Sequence, residues 1–555
     1  MYRMTRRELL VAGGMAALAL AGCSTGGGSG RGQAPYSGNR YGAMNNYGPG
    51  VQFRATKPLT FSMMYDNNPG YPYNKGWLFW SELTKRTNVT LDPVIANLSD
   101  YNTKVSLLIG AGQAPVIIPK IYHPQEVPFI ASGAILPVSD YTGLMPNYTR
   151  TITEWNLQPD IDTLRQADGK YYLLPGLHQQ LWVDYTLAMR YDILAKLNLP
   201  SSWPELYGQK VPPTWSDVYD VLKAMKSYTN SYPLSDRWSI PTPGGNLLNI
   251  LGTAYGAPGG WGYQNATWDY SAKKYVFTGT MNQWKQMLQF LNRLVMEGLL
   301  DPESFTQSDQ QAIEKFGAGK SLVISTNAQT IVNDYRPAIK GIPGATVHKI
   351  PVPIGPMGPV NQGSRLENGI MILSKARNTS DFVAMMQFID WLWYSPEGKV
   401  FAKWGIEGVT YTGSVDKGTF KLEPDIDWGG LNPGAPKNLQ VAYGFFNGIF
   451  AYGGSTKLLD TQFPPEELAF QKVMNKRRTL PLPPPAPLTT AERQEAQLWE
   501  TNLQDYVTTQ SLRFILGKRS FSEWGEYVNE LKQRNMTQYM DLITNAYERF
   551  KAHHG

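Results

Sequence analysis

Lys57-Pro58-Leu59-Thr60-Phe61-Ser62-Met63-Met64-Tyr65 and Pro115-Val116-Ile117-Ile118 are the stretches on which the fold turns. The first reads as a strand. Residues 77–86 follow as an amphipathic helix, with Leu78, Phe79, Trp80 and Leu83 at packing positions. Residues 88–94 read as a second strand, and 102–109 as a helix stopped by Gly110 and Gly112. Pro115-Val116-Ile117-Ile118 is apolar without alternation, which suits a parallel strand buried on both faces. A helix over 124–132 and Ile135-Leu136-Pro137 come next. Strand alternating with helix argues for an α/β sheet.

The same alternation continues. Strands are expected at 170–175, 185–189, 322–325 and 369–373, and helices at 192–197, 215–227, 280–297, 310–316 and 379–394. Pro481-Leu482-Pro483-Pro484-Pro485-Ala486-Pro487 reads as a stiff connector. Thr489 with Glu492 forms a capping-box pattern ahead of a helical, aromatic-rich tail. No internal repeat is present.

Composition narrows the function classes. The 555 residues are 42% hydrophobic and 12% aromatic, which excludes a mostly disordered chain. Charged residues are 17%, below the ~25% of an average globular chain. The net charge of +6 is small for this length and no long basic run occurs, so no nucleic-acid partner is expected.

The N-terminus carries an export pattern. Residues 1–8 are basic, and Leu9 to Leu20 are apolar or small. That stretch is about twelve residues, too short for a ~30 Å hydrocarbon core, and reads as a signal-peptide core. Leu20-Ala21-Gly22-Cys23 resembles the bacterial lipobox, in which the cysteine becomes the first mature residue and carries acyl chains. Cys23 is the single cysteine. Two or more acyl chains would anchor the protein stably to the cell membrane. Thr5-Arg6-Arg7-Glu8-Leu9-Leu10 also matches a twin-arginine export signal, so both export routes stay open. The expected layout is a lipoprotein signal peptide at 1–22 and a flexible Gly/Ser/Asn/Tyr-rich tether at 23–50. With no cysteine left for disulfides, the exported domain must be held by its core alone.

Motifs for covalent chemistry are missing. Gly317-Ala318-Gly319-Lys320-Ser321 looks like the end of a phosphate-binding loop, but Glu314 stands where the first Gly belongs. The stretch also follows a helix and precedes a strand, the reverse of the needed order, so it reads as a helix end. The five His show no metal-ligand spacing. There is no G-x-S-x-G elbow. Asp160 with Asp162 and Asp425 with Asp427 read as loop carboxylates. No catalytic residue, cofactor or metal is expected.

Aromatic residues do recur in Gly/Pro-rich loops. Tyr65, Tyr71 and Tyr73 form one group; Tyr122-His123, Trp182-x-Asp184-Tyr185, Tyr255 with Trp261 and Tyr263, and Trp404-Gly405 form others. Aromatics beside Gly at strand ends are poised over a cleft. Sugar rings stack their C–H faces on such planes, at ~0.5–1.5 kcal/mol per aromatic contact beyond area burial, and their hydroxyls need polar partners nearby. The candidate ligand-binding set is Tyr65, Tyr122, Trp182, Asp184, Tyr185, Tyr255, Trp261, Asn327, Arg365 and Trp404.

Several stretches together resemble the extracellular solute-binding proteins of bacterial carbohydrate ABC importers, in their long lipoprotein branch. They are Ala111-Gly112-Gln113-Ala114-Pro115-Val116-Ile117-Ile118, Gly133-Ala134-Ile135-Leu136-Pro137-Val138, Asp168-Gly169-Lys170-Tyr171-Tyr172-Leu173-Leu174-Pro175, Met189-Arg190-Tyr191-Asp192-Ile193-Leu194, Asn368-Gly369-Ile370 and Ser395-Pro396-Glu397-Gly398. Val116 departs from the family's usual Asp, and the calcium loop of alginate-type relatives is missing, so no structural calcium is expected. The resemblance implies an α/β fold of two lobes joined by crossovers: 51–174 with 350–374, and 175–349 with 375–555, the latter ending in a helical region. It implies a monomer that closes on an oligosaccharide and hands it to permease transmembrane subunits. A receptor presenting ligand to a membrane sensor, or a secreted carbohydrate-active enzyme, would be the alternatives.

Overall fold

The computed structural model of the protein describes residues 38–237 and 245–554. The signal-peptide pattern, Cys23 and the first part of the expected tether lie outside the described residues.

Two sheets organise the chain. The first has five strands in the order Val89–Asn97, Leu59–Asn67, Ile117–Ile121, Leu366–Ile372, Leu174–Leu177. Leu59–Asn67 runs parallel to both of its neighbours, in register from Leu59↔Val89 to Asn67↔Asn97. Ile117, Ile118 and Ile121 are at most 1% exposed, as the unalternating run required. The parallel step from the first strand to the second needs a crossover, which the Leu78–Thr87 helix supplies. It buries Phe79 and Leu83 and ends on Asn88 at φ 57, a left-handed position that Asn tolerates better than most residues.

The second sheet is Val323–Thr326, Thr186–Arg190, Val347–Lys349, with the middle strand antiparallel to both others. The chain passes from the first sheet at Leu177 to the second at Thr186. It returns after Lys349 to lay Leu366–Ile372 antiparallel between two first-sheet strands. The first sheet is therefore complete only after the second has been threaded. This is the two-lobed α/β architecture that the family resemblance implies.

Apolar packing follows the sheets. One core gathers Phe61, Met63, Tyr65, Ile117 and Ile370 with side chains from Phe382 to Leu458. Another gathers Leu187, Met189, Val323 and Ile350 with Phe470, Leu503, Phe514 and Ala546. The block 375–555 thus does not pack as one piece. Phe382–Tyr394, in which every residue is buried, and Pro396–Trp404 belong to the first sheet's core. The tail helices Thr490–Ile515, Trp524–Gln533 and Met536–His554 cover the second. Thr489 and Glu492 close the expected capping box, a feature worth about 1 kcal/mol.

Three expectations change. Residues 124–132 hold only a short turn of 3-10 helix, Val127–Phe129. The strand expected at 170–175 sits later, at Leu174–Leu177. Within the expected tether, residues 38–50 are docked rather than free. Tyr41 N donates to Ser380 O at 2.8 Å, Met44 exchanges backbone bonds with the Gln387 side chain at 2.9 and 3.0 Å, and Tyr47 OH donates to Asp390 at 2.8 Å. The Gly317–Ser321 stretch follows the Asp309–Gly317 helix and precedes Val323–Thr326, confirming it as a helix end. Among the described residues no helix is long and apolar enough to cross a membrane.

Candidate functional site

The ends of strands from both sheets converge on a cavity of about 500 Å³. Lys120 comes from the Ile117–Ile121 strand and Glu367 from Leu366–Ile372 in the first sheet. Asp184 precedes Thr186–Arg190, Asn327 follows Val323–Thr326, and Lys349 ends Val347–Lys349 in the second. Clefts in α/β folds gather at strand ends because the loops there are free of ladder geometry.

Aromatic rings form part of the wall. Trp182 packs on Phe463 with centroids 5.1 Å apart, and Trp428 stacks on Phe446 at 3.6 Å. Behind them Trp404, fully buried, packs on Trp428 at 5.8 Å and on Phe446 at 4.9 Å. Beside the cavity Tyr185 and Trp261 meet at 5.5 Å, with Trp261 45% exposed.

Charged groups in the wall hold one another. His178 Nε2 lies 3.0 Å from Glu367, which also accepts from Gly453 N at 2.8 Å. Burial pushes the Glu367 carboxyl up, but His178, Lys403 and the Gly453 amide outweigh it and hold the group at about 2. Lys349 Nζ donates to both Glu467 oxygens at 2.9 and 3.0 Å and to Asp184 O at 3.0 Å. Arg336 pairs with Glu466, which His348 also contacts at 2.8 Å. Burial raises the Asp184 carboxyl against the pull of Lys349 and the Ala328 amide. Among the described residues, three side-chain polar atoms of this wall are buried without a partner: Trp182 Nε1, His178 Nδ1 and Gln462 Nε2. The arrangement offers flat faces for stacking and neutral groups for hydrogen bonding.

Of the expected ligand-binding residues, Trp182, Asp184 and Asn327 line this cavity. Tyr185 and Trp261 stand at its side, and Tyr122 lies 49% exposed with Lys120 Nζ 5.6 Å from its ring. The other four are structural. Tyr65 is fully buried, donating to Tyr71 O at 3.2 Å and accepting from Asn447 at 2.7 Å. Tyr255 is 8% exposed in the second core. Trp404 supports the wall from behind and donates to Thr461 Oγ1 at 2.9 Å. Arg365 is locked onto Asp160 at 2.6 Å and onto the carbonyls of Trp155 and Asn156, away from the cavity. Sequence reasoning missed Trp428 and Phe463, although Trp428-Gly429-Gly430 and Phe463-Pro464 meet the same criterion of aromatics beside Gly or Pro. Lys120, Glu367 and Lys403 sit inside regular elements and gave no such signal. Among the described residues no group of His, Cys, Asp and Glu is placed to hold a metal ion.

Residues 80–413 match the family model described as bacterial extracellular solute-binding protein, and the chain belongs to that family. Its members bind a solute; they are not enzymes. Among curated proteins, the chain is 22% identical over 527 residues to the fructooligosaccharide ABC transporter substrate-binding protein FusA of Streptococcus pneumoniae, spanning 91% of this chain and 93% of that one. It is 23% identical over 357 residues to the polygalacturonan/rhamnogalacturonan-binding protein YtcQ of Bacillus subtilis, spanning 62% and 66%. Among solved structures, the alginate-binding protein AlgQ2 without calcium ion superposes with TM-score 0.66 at 20% identity, covering 90% of this chain and 99% of that one.

Proposed function

We propose that the protein is a lipid-anchored substrate-binding protein that captures an oligosaccharide in this cavity and delivers it to an ABC importer permease. The single observation that carries the reading is a cavity at the strand ends of both sheets whose wall sets the flat rings of Trp182, Phe463, Trp428 and Phe446 beside hydrogen-bonding side chains. Sugars present the same combination of C–H faces and hydroxyls. Ligand touching both walls would favour a closed form, since it gains contacts there that the open form lacks. In this reading Cys23 carries the acyl chains and the export signal places the domain outside the cytoplasm. The lobes are then 51–177 with 366–374 and 382–458, and 186–352 with 465–554, so the crossovers fall at 178–185 and 353–365 rather than at 174/175 and 349/350. FusA and YtcQ support a saccharide ligand through the substrates in their names.

Calorimetric titration of the full chain in detergent with a panel of oligosaccharides tests the reading. Binding of at least one saccharide, with the sugar recovered intact, is expected. Tight binding of a peptide or a metal with no saccharide bound would overturn it. Trp182→Ala removes one stacking plane from the wall, so affinity should fall about tenfold, the equivalent of ~1.4 kcal/mol. The ligand-free melting temperature should stay near the parent's, because Trp182 is only half-buried. Equal loss of melting temperature and affinity would mean that the ring is core.

A further inference from the structure

A second cavity, of about 450 Å³, opens beside the first sheet's core and shares no lining residue with the ligand cavity. Lys399 from the Pro396–Trp404 helix, Arg86 from Leu78–Thr87 and Arg150 from Pro146–Glu154 bring three basic side chains to its wall. Lys399 is only 4% exposed. Its ammonium lies over the rings of Trp155 and Tyr394, which line the same cavity, and the nitrogen is not sealed from solvent. Among the described residues it has neither a hydrogen bond nor an ion pair. The arginines are held loosely. Arg86 Nε lies 3.9 Å from Glu82 and Arg150 Nε 3.8 Å from Glu154. With side chains 35% and 37% exposed, both guanidinium forks can be reached from outside.

The acids of this cavity stand at its rim. Glu397 and Asp416 are exposed, and Glu154 is exposed beside Arg150. Deeper in, the charges of Glu367 and Asp390 reach Lys399 without overcoming its burial and the repulsion of Lys403 on the next turn. Both of those acids are engaged elsewhere: Glu367 pairs with His178, and Asp390 accepts from Asn147, Tyr148 and Tyr47. The floor of the cavity is therefore positive and lacks an acid of its own. A buried charge without a partner weakens a fold, and such groups in a cleft mark functional sites. An oxyanion seated against Lys399 would supply the missing negative charge, and guanidinium forks match the geometry of its oxygens.

We propose that this cavity is a second binding site, separate from the saccharide cleft, for a small oxyanion bearing phosphate, sulfate or carboxylate oxygens, with Lys399 as its anchor and Arg150 and Arg86 as its clamps. The test is melting of the full chain in detergent with phosphate, sulfate or citrate exchanged for chloride at constant ionic strength, so that screening is the same throughout. Anion is kept below about 20 mM, where general exclusion of these salts from the surface contributes little. At least one of the three should raise the melting temperature saturably, as binding to the folded state requires. The anion with the largest rise assigns the oxygen group. Lys399→Met should abolish the rise. Arg150→Gln, at a half-buried position that lines only this cavity, should weaken the anion about tenfold or more. Burial lowers Lys399 to about 7, and the anion binds its charged form. Sulfate, whose own charge is constant there, should therefore bind about tenfold tighter at about pH 6.5 than at about pH 8.5. No saturable rise with any of the three, an equal rise in both variants, or a sulfate affinity indifferent to pH overturns the proposal.

Discussion

Asp390→Ala is expected to cost about 3–5 kcal/mol of stability, the range for removing one partner from a buried charged network. Asp390 is fully buried in the Phe382–Tyr394 helix. Its carboxylate accepts from Asn147 N at 3.0 Å, Asn147 Nδ2 at 2.8 Å, Tyr148 N at 2.8 Å and Tyr47 OH at 2.8 Å. Two of these donors are backbone amides in the first turn of the Pro146–Glu154 helix, which has no side-chain cap of its own. First-turn amides have no intrahelical acceptor, and a negative charge there also suits the helix dipole. Asp390 therefore caps a helix distant in sequence and pins the 38–50 segment through Tyr47. Burial still raises its carboxyl above the ordinary value, so desolvation outweighs even four donors. Alanine would leave two buried amides without an acceptor and the Tyr47 hydroxyl with none to donate to, although it still accepts from Asn147 Nδ2 at 3.1 Å. Asp390→Asn keeps one acceptor oxygen and should lose less, about 1–2 kcal/mol. Urea midpoints of the two variants measure both losses. A loss under ~1 kcal/mol for alanine would show that water replaces the carboxylate freely.

The same contacts show why parts of this fold were legible in sequence and parts were not. Pro115-Val116-Ile117-Ile118 announced a buried strand because continuous apolarity has few other uses next to turn residues. Thr489 and Glu492 announced a helix start because their two hydrogen bonds are local. The Gly245–Tyr255 helix gave no such signal. Leu247, Leu248, Ile250 and Leu251 are all buried, so it has no polar face and no period. The docking of residues 38–50 depends on Gln387 and Asp390, which lie far away in sequence and carry no mark of that role.

The site was legible where loops met strand ends, as at Trp182, Asp184 and Asn327. It was misread where glycine served packing instead of ligand access. Gly405, at φ 89, follows Trp404, and a Cβ there would meet Phe445 at 2.7 Å. That glycine lets the chain turn tightly against the core, so its neighbour Trp404 is a wall support. Tyr65 is likewise closed off by Tyr73 and Trp80, with ring centroids at 5.2 and 6.2 Å. Whether a loop aromatic faces solvent or core is set by what packs over it, and that is a long-range property.

Lys399→Met is expected to stabilise the protein by about 2–4 kcal/mol near pH 6, with the gain shrinking as pH rises toward 9. Lys399 and Lys403 occupy successive turns of the Pro396–Trp404 helix, and both are buried. Burial, together with the charge of Lys403, lowers Lys399 to about 7; burial lowers Lys403 to about 8, with Glu367 opposing. Lys399 Nζ lies over the rings of Trp155 at 5.3 Å and Tyr394 at 5.9 Å, the charges of Glu367 and Asp390 only partly oppose its burial, and it lines a separate pocket with Arg86, Arg150, Glu154, Glu397 and Asp416. Folded-state values below the ordinary 10.5 mean that the unfolded chain binds more protons between about pH 7 and 10. Below pH 7 both states are charged and the full burial penalty weakens the fold. Above it the folded lysines give up their protons and stability climbs with pH, until the buried tyrosines begin to act against the fold near pH 10, where unfolded tyrosine ionises. Methionine fills similar volume without a charge to desolvate. Calorimetric melts of parent and variant at about pH 6, 7.5 and 9 follow the linkage directly. A variant that melts lower at pH 6, or a difference that does not vary with pH, would mean that the Lys399 ammonium is well solvated or paired where it sits.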